Sequence, residues 1–319
     1  MRKIFIFLGI AKSIALCAQE NIQYDKLLDD PNFLFHIKGG VFGDADFYDS
    51  KNYRGGIYAG AMVNLGNRLA VGGDIHLGLS RWNRPQKESV NPLGGNHLDV
   101  SGRLIFNFSS QEDNASFKTN LKVTSYRSGN YNITDTKYIM VTARRLQQFG
   151  LTGTAGFLSN QINVNKRKPY ELEDSALSIK GTGIGYMGAY ISGGLSIRSY
   201  VNFLIDAKSS SSGETYKRKG KREHRAVYLE GLYMPVVLIP KELNLEDGPA
   251  VLKETPPKQN LGFRIISEYH STGTLLSGAR MEIGMRPGIR MPVSEGKELT
   301  NLYIRMSVFV GINAKAKGN

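Results

Sequence analysis

The chain is poor in the features that would simplify its reading. Its 319 residues include one cysteine, Cys17, which sits in an N-terminal segment with the marks of a cleaved leader. The mature chain is therefore expected to have none, so disulfides add no stability and thiol chemistry is excluded. No stretch approaches the roughly 18 consecutive apolar residues of a membrane-spanning helix. The five histidines (His36, His76, His97, His224 and His270) show no metal-ligand spacing along the chain, so neither a metal nor a cofactor is expected. Gly181-Thr182-Gly183-Ile184-Gly185 is glycine-rich but lies inside a strand pattern, which points to close packing or a bend rather than phosphate binding. In Tyr269-His270-Ser271 a base neighbours a hydroxyl, yet adjacent strand residues point to opposite faces. An outer-membrane hydrolase is thus the weakest functional reading, and no enzyme activity is expected.

The N-terminus reads as a secretory signal. Arg2 and Lys3 form a charged start, Ile4 to Leu16 is largely apolar, and Ala18 offers a cleavage point. Ordinary cleavage is favoured over lipidation of Cys17, because bulky Leu16 precedes it. Loss of Arg2, Lys3 and Lys12 leaves 38 Lys+Arg against 28 Asp+Glu, a charge of +10. That balance favours anionic partners. For an exported chain these are outer-membrane lipids, lipopolysaccharide and anionic solutes, and nucleic acid is not expected.

The 36 glycines, 16 tyrosines and 14 phenylalanines suit a β-rich protein. Alternation carries the rest. In Leu302-Tyr303-Ile304-Arg305-Met306-Ser307-Val308-Phe309-Val310-Gly311-Ile312 every second residue is aliphatic or Met. Its eleven residues match the roughly 9–11 needed by a tilted strand to cross a bilayer. Similar segments occur at 33–42, 53–65, 69–79, 98–108, 117–127, 137–145, 150–158, 177–191, 195–205, 225–234, 261–270 and 277–286. With the terminal strand they make thirteen. A bacterial barrel needs an even number, so a hidden strand near Pro249 or a mistaken one elsewhere gives about 12–14. Tight turns are expected at Gly66-Asn67, Gln147-Gln148 and Ser192-Gly193, with a longer one at 109–116. Long polar loops are expected at 83–96, 159–175 and 208–224.

The fold class that follows is all-β: a transmembrane antiparallel up-and-down barrel of about 12–14 strands behind a cleaved signal peptide. The expected layout is a signal at 1–18, a short periplasmic lead-in at 19–32, one barrel at 33–313 and a polar tail at 314–319. The chain resembles the outer-membrane β-barrels of Bacteroidota-type Gram-negative bacteria, in this overall pattern and in Leu16-Cys17-Ala18-Gln19 at the end of the signal. No named family matches by motif. Where the best-known barrels end on an aromatic residue, this chain continues into its polar tail, which departs from the usual assembly signal. The resemblance implies residence in the outer membrane.

Opposite the apolar faces, the strands carry Lys38, Arg54, Arg103, Lys118, Lys122, Lys180, Arg198, Arg264, Arg280, Arg286 and Arg305 against Asp74, Asp99, Glu230, Glu268 and Glu282. The candidate solute-binding group is Arg264, Glu268, Arg280, Glu282, Arg286 and Arg305, from the last three strands. A net basic lumen could focus anions; alternatively, the same side chains could pair across strands and fill a narrow bore. Lys217, Arg218, Lys219, Lys221 and Arg222 form a basic stretch expected in an extracellular loop, either as a binding surface or as a solvated one. The leading functional expectation is a porin-like channel favouring small anionic solutes. The second is a non-transporting barrel that works as a membrane subunit of a secretion, surface-anchoring or assembly complex with partner proteins. In that case segment 236–260 is a docking candidate.

Overall fold

The structure is a computed structural model that describes residues 22–314, except 33, 47–52, 82–88, 91–96, 129, 164–182, 240–241, 246–247, 252–256, 272–277, 295–296 and 300. The signal segment, Cys17, Trp82, Lys180 and 315–319 lie outside the described residues.

Eleven principal strands follow one another: β1 Ile22–Asp29, β2 Phe35–Asp46, β3 Tyr53–Leu65, β4 Leu69–Arg81, β5 Leu98–Ser128, β6 Tyr131–Asn163, β7 Gly183–Ser209, β8 Thr215–Tyr233, β9 Leu261–Ser271, β10 Gly278–Met285 and β11 Leu302–Ala314. The chain falls into two compact units. Unit 2 comprises residues 32–113, 146–200 and 223–319. It is a closed, antiparallel, up-and-down barrel in which each of β2 to β11 pairs with its neighbour in sequence and β11 pairs with β2. The fold class is the one expected, with ten strands instead of 12–14.

The difference has one cause. Three expected turns are not turns. Residues 109–116 continue β5, Gln147-Gln148 lies within β6 and Ser192-Gly193 lies within β7. Thirteen short segments thus merge into ten strands. Polarity at these places reflects pairing within the sheet. Gln147 donates to Asp113 at 3.2 Å, and buried Gln148 donates to the Asn67 carbonyl at 3.3 Å. The segment near Pro249 does form a strand, Gly248–Val251, but it pairs with Glu242–Leu245 in a separate two-stranded sheet.

Register in unit 2 obeys the two-residue period, so each strand shows one face outward and one inward. Ile57, Ile75, Leu229, Ile265, Met306 and Val310 are all exposed on the outside. A soluble protein rarely leaves a continuous apolar band uncovered, whereas lipid covers one without cost. Gly66, with φ of +80°, closes the tight turn between β3 and β4, as its sequence suggests.

Unit 1 comprises 1–31, 114–145 and 201–222. Here β1 pairs with β7, from Ile22 opposite Ser209 to Asp29 opposite Phe203. The segment expected as a polar lead-in is therefore strand over most of its length. Leu121, Val141, Ala143, Val201, Phe203, Ile205, Ala207 and Tyr216 make a separate apolar core. Val201, Phe203 and Ile205 share a strand face with exposed Leu195 and Ile197, so the run read as one lipid-facing row changes role along its length. The stretch 208–224 is mostly strand. The turn closes over Ser209–Gly213 through a 2.9 Å bond from the Gly213 amide to the Ser209 carbonyl. Lys217, Arg218, Lys219, Lys221 and Arg222 belong to β8 and not to a loop. Within unit 1, Arg222 donates to Asn202 at 3.1 Å, and the Arg218 amide donates to Asp206 at 2.6 Å.

Candidate functional site

The inward faces of the ten barrel strands bring the charged residues together. All six residues of the candidate group are buried on that wall. Arg264 donates to Glu230 at 2.6 Å. Arg280 donates to Asp74 at 2.8 Å and to Glu282 at 3.4 Å. Arg305 donates to Asp99 at 2.8 Å and to Asp44 at 3.3 Å. Arg286 donates to Asp46 at 2.8 Å and also to Asp44. Glu268 accepts from Lys38 at 2.5 Å.

These pairs join into continuous strings. Arg103 donates to Glu230 at 3.2 Å and reaches Asp74 at 3.5 Å, linking the Arg264 and Arg280 groups. Arg54 donates to Asp46 at 2.6 Å, extending the Arg286 group. Neutral groups fill further valences. Tyr58 donates to Asp74 at 2.9 Å, Tyr190 to Asp99 at 3.0 Å, and Tyr303 to Glu282. Aromatic faces support the cations as well, with the Arg286 guanidinium 3.7 Å from the Tyr303 ring centroid.

The expected excess of positive charge falls to one in the described interior. Of the eleven basic residues assigned to the lumen, eight are buried. Lys118 and Lys122 are on the exposed side of unit 1, and Lys180 is outside the described residues. All five expected acids are buried, and Asp44 and Asp46 join them; Glu223 is buried on the opposite face of β8, beside exposed Arg225. Among the described residues, eight Lys or Arg and eight Asp or Glu are buried, each between 1 and 7% exposed. Ending the first strand at Phe42 had hidden Asp44 and Asp46. Their outward neighbours, Gly43 and Ala45, are too small to continue an apolar signal.

Arg198 stands apart. It donates to Asn107 at 2.9 Å, Tyr200 at 3.0 Å and Asn64 at 3.2 Å, all neutral, and it has no ion pair with a described residue. Tyr200 is buried and stacked on His224, with 4.6 Å between ring centroids.

All five histidines are buried inside unit 2. His36, His224 and Glu268 each present a ligand atom, and these atoms lie within 4.8 Å of one another. The residues come from β2, β8 and β9, so no local spacing could announce them. The hydroxyl–imidazole pair needed by a hydrolase is not formed by His270 and Ser271, whose side chains leave β9 on opposite faces.

Neither a protein-family model nor a curated protein sequence matches the chain. Among solved structures it is similar to OmpT of Vibrio cholerae, an outer membrane protein (in-vitro folded, trimer form), with 7% identity and a TM-score of 0.20 over 92% of this chain and 99% of that one. It is also similar to the loop L8 deletion mutant of that protein, with 9% identity and a TM-score of 0.20 over the same shares. At these scores neither likeness informs the reading, which rests on the chain's own geometry: a ten-stranded antiparallel barrel with an apolar exterior and a charge-paired interior.

Proposed function

We propose that this chain is an outer-membrane barrel, of the Bacteroidota type that its signal resembles, whose bore is closed by its own ion pairs. In this reading it serves as a membrane subunit of a secretion, surface-anchoring or assembly complex. One observation carries the proposal. A charged side chain lining a water-filled bore keeps accessible surface, yet the sixteen buried charged residues keep no more than 7%. Buried charges must be paired, and fifteen of these sixteen belong to strings that balance in sign or have neutral partners fitted to them, with Glu223 bonded to Arg225 at 2.7 Å.

Unit 1 supplies the partner-binding face. Its described residues carry thirteen Lys or Arg against six Asp or Glu, so most of the mature chain's excess charge is concentrated there. A basic β-surface of this kind suits an acidic partner protein or the phosphates of lipopolysaccharide.

Planar-bilayer recording of the purified barrel tests the reading. The expected result is no steady ion current at moderate voltage. Reproducible anion-selective current would overturn it in favour of a porin-like channel for small anionic solutes, the reading that a net basic lumen had favoured.

A further inference from the structure

The histidine cluster supplies no link in the Arg–carboxylate strings, and it is expensive. The Nε2 atom of His36 and both ring nitrogens of His224 are buried and have no hydrogen-bond partner among the described residues. Each such group costs about 1–3 kcal/mol when left unsatisfied. One ion shared by His36 and His224 would satisfy two of the three, one nitrogen per ring.

The surroundings leave room for one. His224 and His270 are cross-strand partners on β8 and β9, and the His36 and His270 ring centroids are 4.5 Å apart. A Cβ at residue 311 would lie 2.8 Å from Nε2 of His36 and 2.8 Å from Nε2 of His270. Both nitrogens therefore border the same space, and glycine at 311 keeps it open. Glu268 presents Oε1 at 3.9 Å from Nδ1 of His224, while its Oε2 is taken by Lys38. Lys38 also has Asp74 at 3.6 Å, so it keeps a counter-charge when Glu268 turns to a cation.

We infer that His36, His224 and Glu268 bind a divalent ion of the zinc class. Neutral imidazoles with one carboxylate match that class, whereas calcium and magnesium prefer oxygen ligands. Bonds of about 2.0–2.2 Å in a tetrahedral site put donor atoms roughly 3.4 Å apart. Small side-chain rotations close the present spread of up to 4.8 Å to that distance. Three ligands from three strands make the ion a cross-link of the barrel. It would tie β2, the first barrel strand, to β8 and β9. His36 is one residue from the start of β2, and Glu268 is three from the end of β9.

The test uses the full chain, folded in detergent and stripped by a chelator. Titration with Co2+ is followed by visible absorption, and titration with Zn2+ by calorimetry. The expected result is one equivalent bound, a tetrahedral Co2+ spectrum and a higher unfolding temperature. The His36→Ala/His224→Ala double variant should lose the Co2+ band and bind Zn2+ at least about tenfold more weakly. X-ray absorption on the zinc-loaded natural chain should show two imidazoles in the first shell, and needs no variant to fold. Absence of stoichiometric binding, a first shell without imidazole, or unchanged affinity in a folded double variant would each overturn the inference.

Discussion

Removing Glu230 should cost much more stability than removing the arginine it binds. Glu230 accepts from Arg264 at 2.6 Å and from Arg103 at 3.2 Å. If Arg264 is replaced by Met, Glu230 keeps Arg103. If Glu230 is replaced by Leu, Arg264 loses its carboxylate partner and keeps a hydrogen bond to the Tyr190 hydroxyl at 3.4 Å. Breaking a buried pair so that one charge is stranded costs about 3–5 kcal/mol, and Arg264→Met should cost about 1–3 because its partner stays neutralised. The environment sets these figures. At 2.6 Å two unit charges attract by roughly 6 kcal/mol at an effective dielectric of about 20, but by only about 1.6 kcal/mol in water. Urea unfolding from lipid vesicles, followed by far-ultraviolet circular dichroism and gel mobility, measures both variants. With a slope of about 3 kcal/mol per molar, Glu230→Leu should lower the midpoint by roughly 1–1.7 M. If the two variants fall within about 0.5 kcal/mol of each other, the interior is wet and the argument for a closed bore fails.

Two further perturbations address the outside and unit 1. Leu229, half-exposed on the outer face, should tolerate Arg poorly, with a loss of about 2–4 kcal/mol in vesicles if it sits at mid-membrane depth; a neutral effect would remove it from the lipid-facing band. In unit 1, the Lys122 ammonium at 2.9 Å and the Tyr216 hydroxyl at 2.7 Å hold the Glu214 carboxyl below its usual range. Stabilisation by that exposed group is present at neutral pH and fades as the pH falls through the lowered value, because the folded form binds its proton less readily. Lys122→Met should raise the Glu214 pKa in a carbon-13 NMR titration, and an unmoved titration would separate the two residues.

The sequence exposed the parts of this protein that repeat with the pleat. Ile57, Ile75 and Ile265 face outward where alternation put them, and Arg264, Arg280 and Arg305 face inward for the same reason. Strand ends were harder. Ser109, Gln148 and Gly193 belong to residue types common in turns, yet here they lie inside strands. Asp44 and Asp46 follow a weak alternation that small outward neighbours conceal. Those two acids, missed by ending the strand four residues early, account for two of the six excess charges expected, and Lys118 and Lys122, exposed in unit 1, account for two more. The cluster of His36, His224 and Glu268 was illegible for a different reason: closure of the sheet, and not spacing along the chain, brings it together.

The same closure governs the order in which the barrel can form. Lys38 and Glu268 are 230 residues apart, Asp44 and Arg286 are 242 apart, and Asp44 and Arg305 are 261 apart. The first barrel strand therefore emerges with Asp44 more than two hundred residues ahead of its partners Arg286 and Arg305. Until the last strands arrive, that charge must stay hydrated, because an unpaired ion in a dry interior is too costly. Drying of the interior is thus coupled to sealing of the seam between β2 and β11. Contacts this distant also make that step entropically slow. The ion pairs act as a latch that engages late, and a chain cut short before β10 and β11 lacks Arg286 and Arg305, the partners of Asp44.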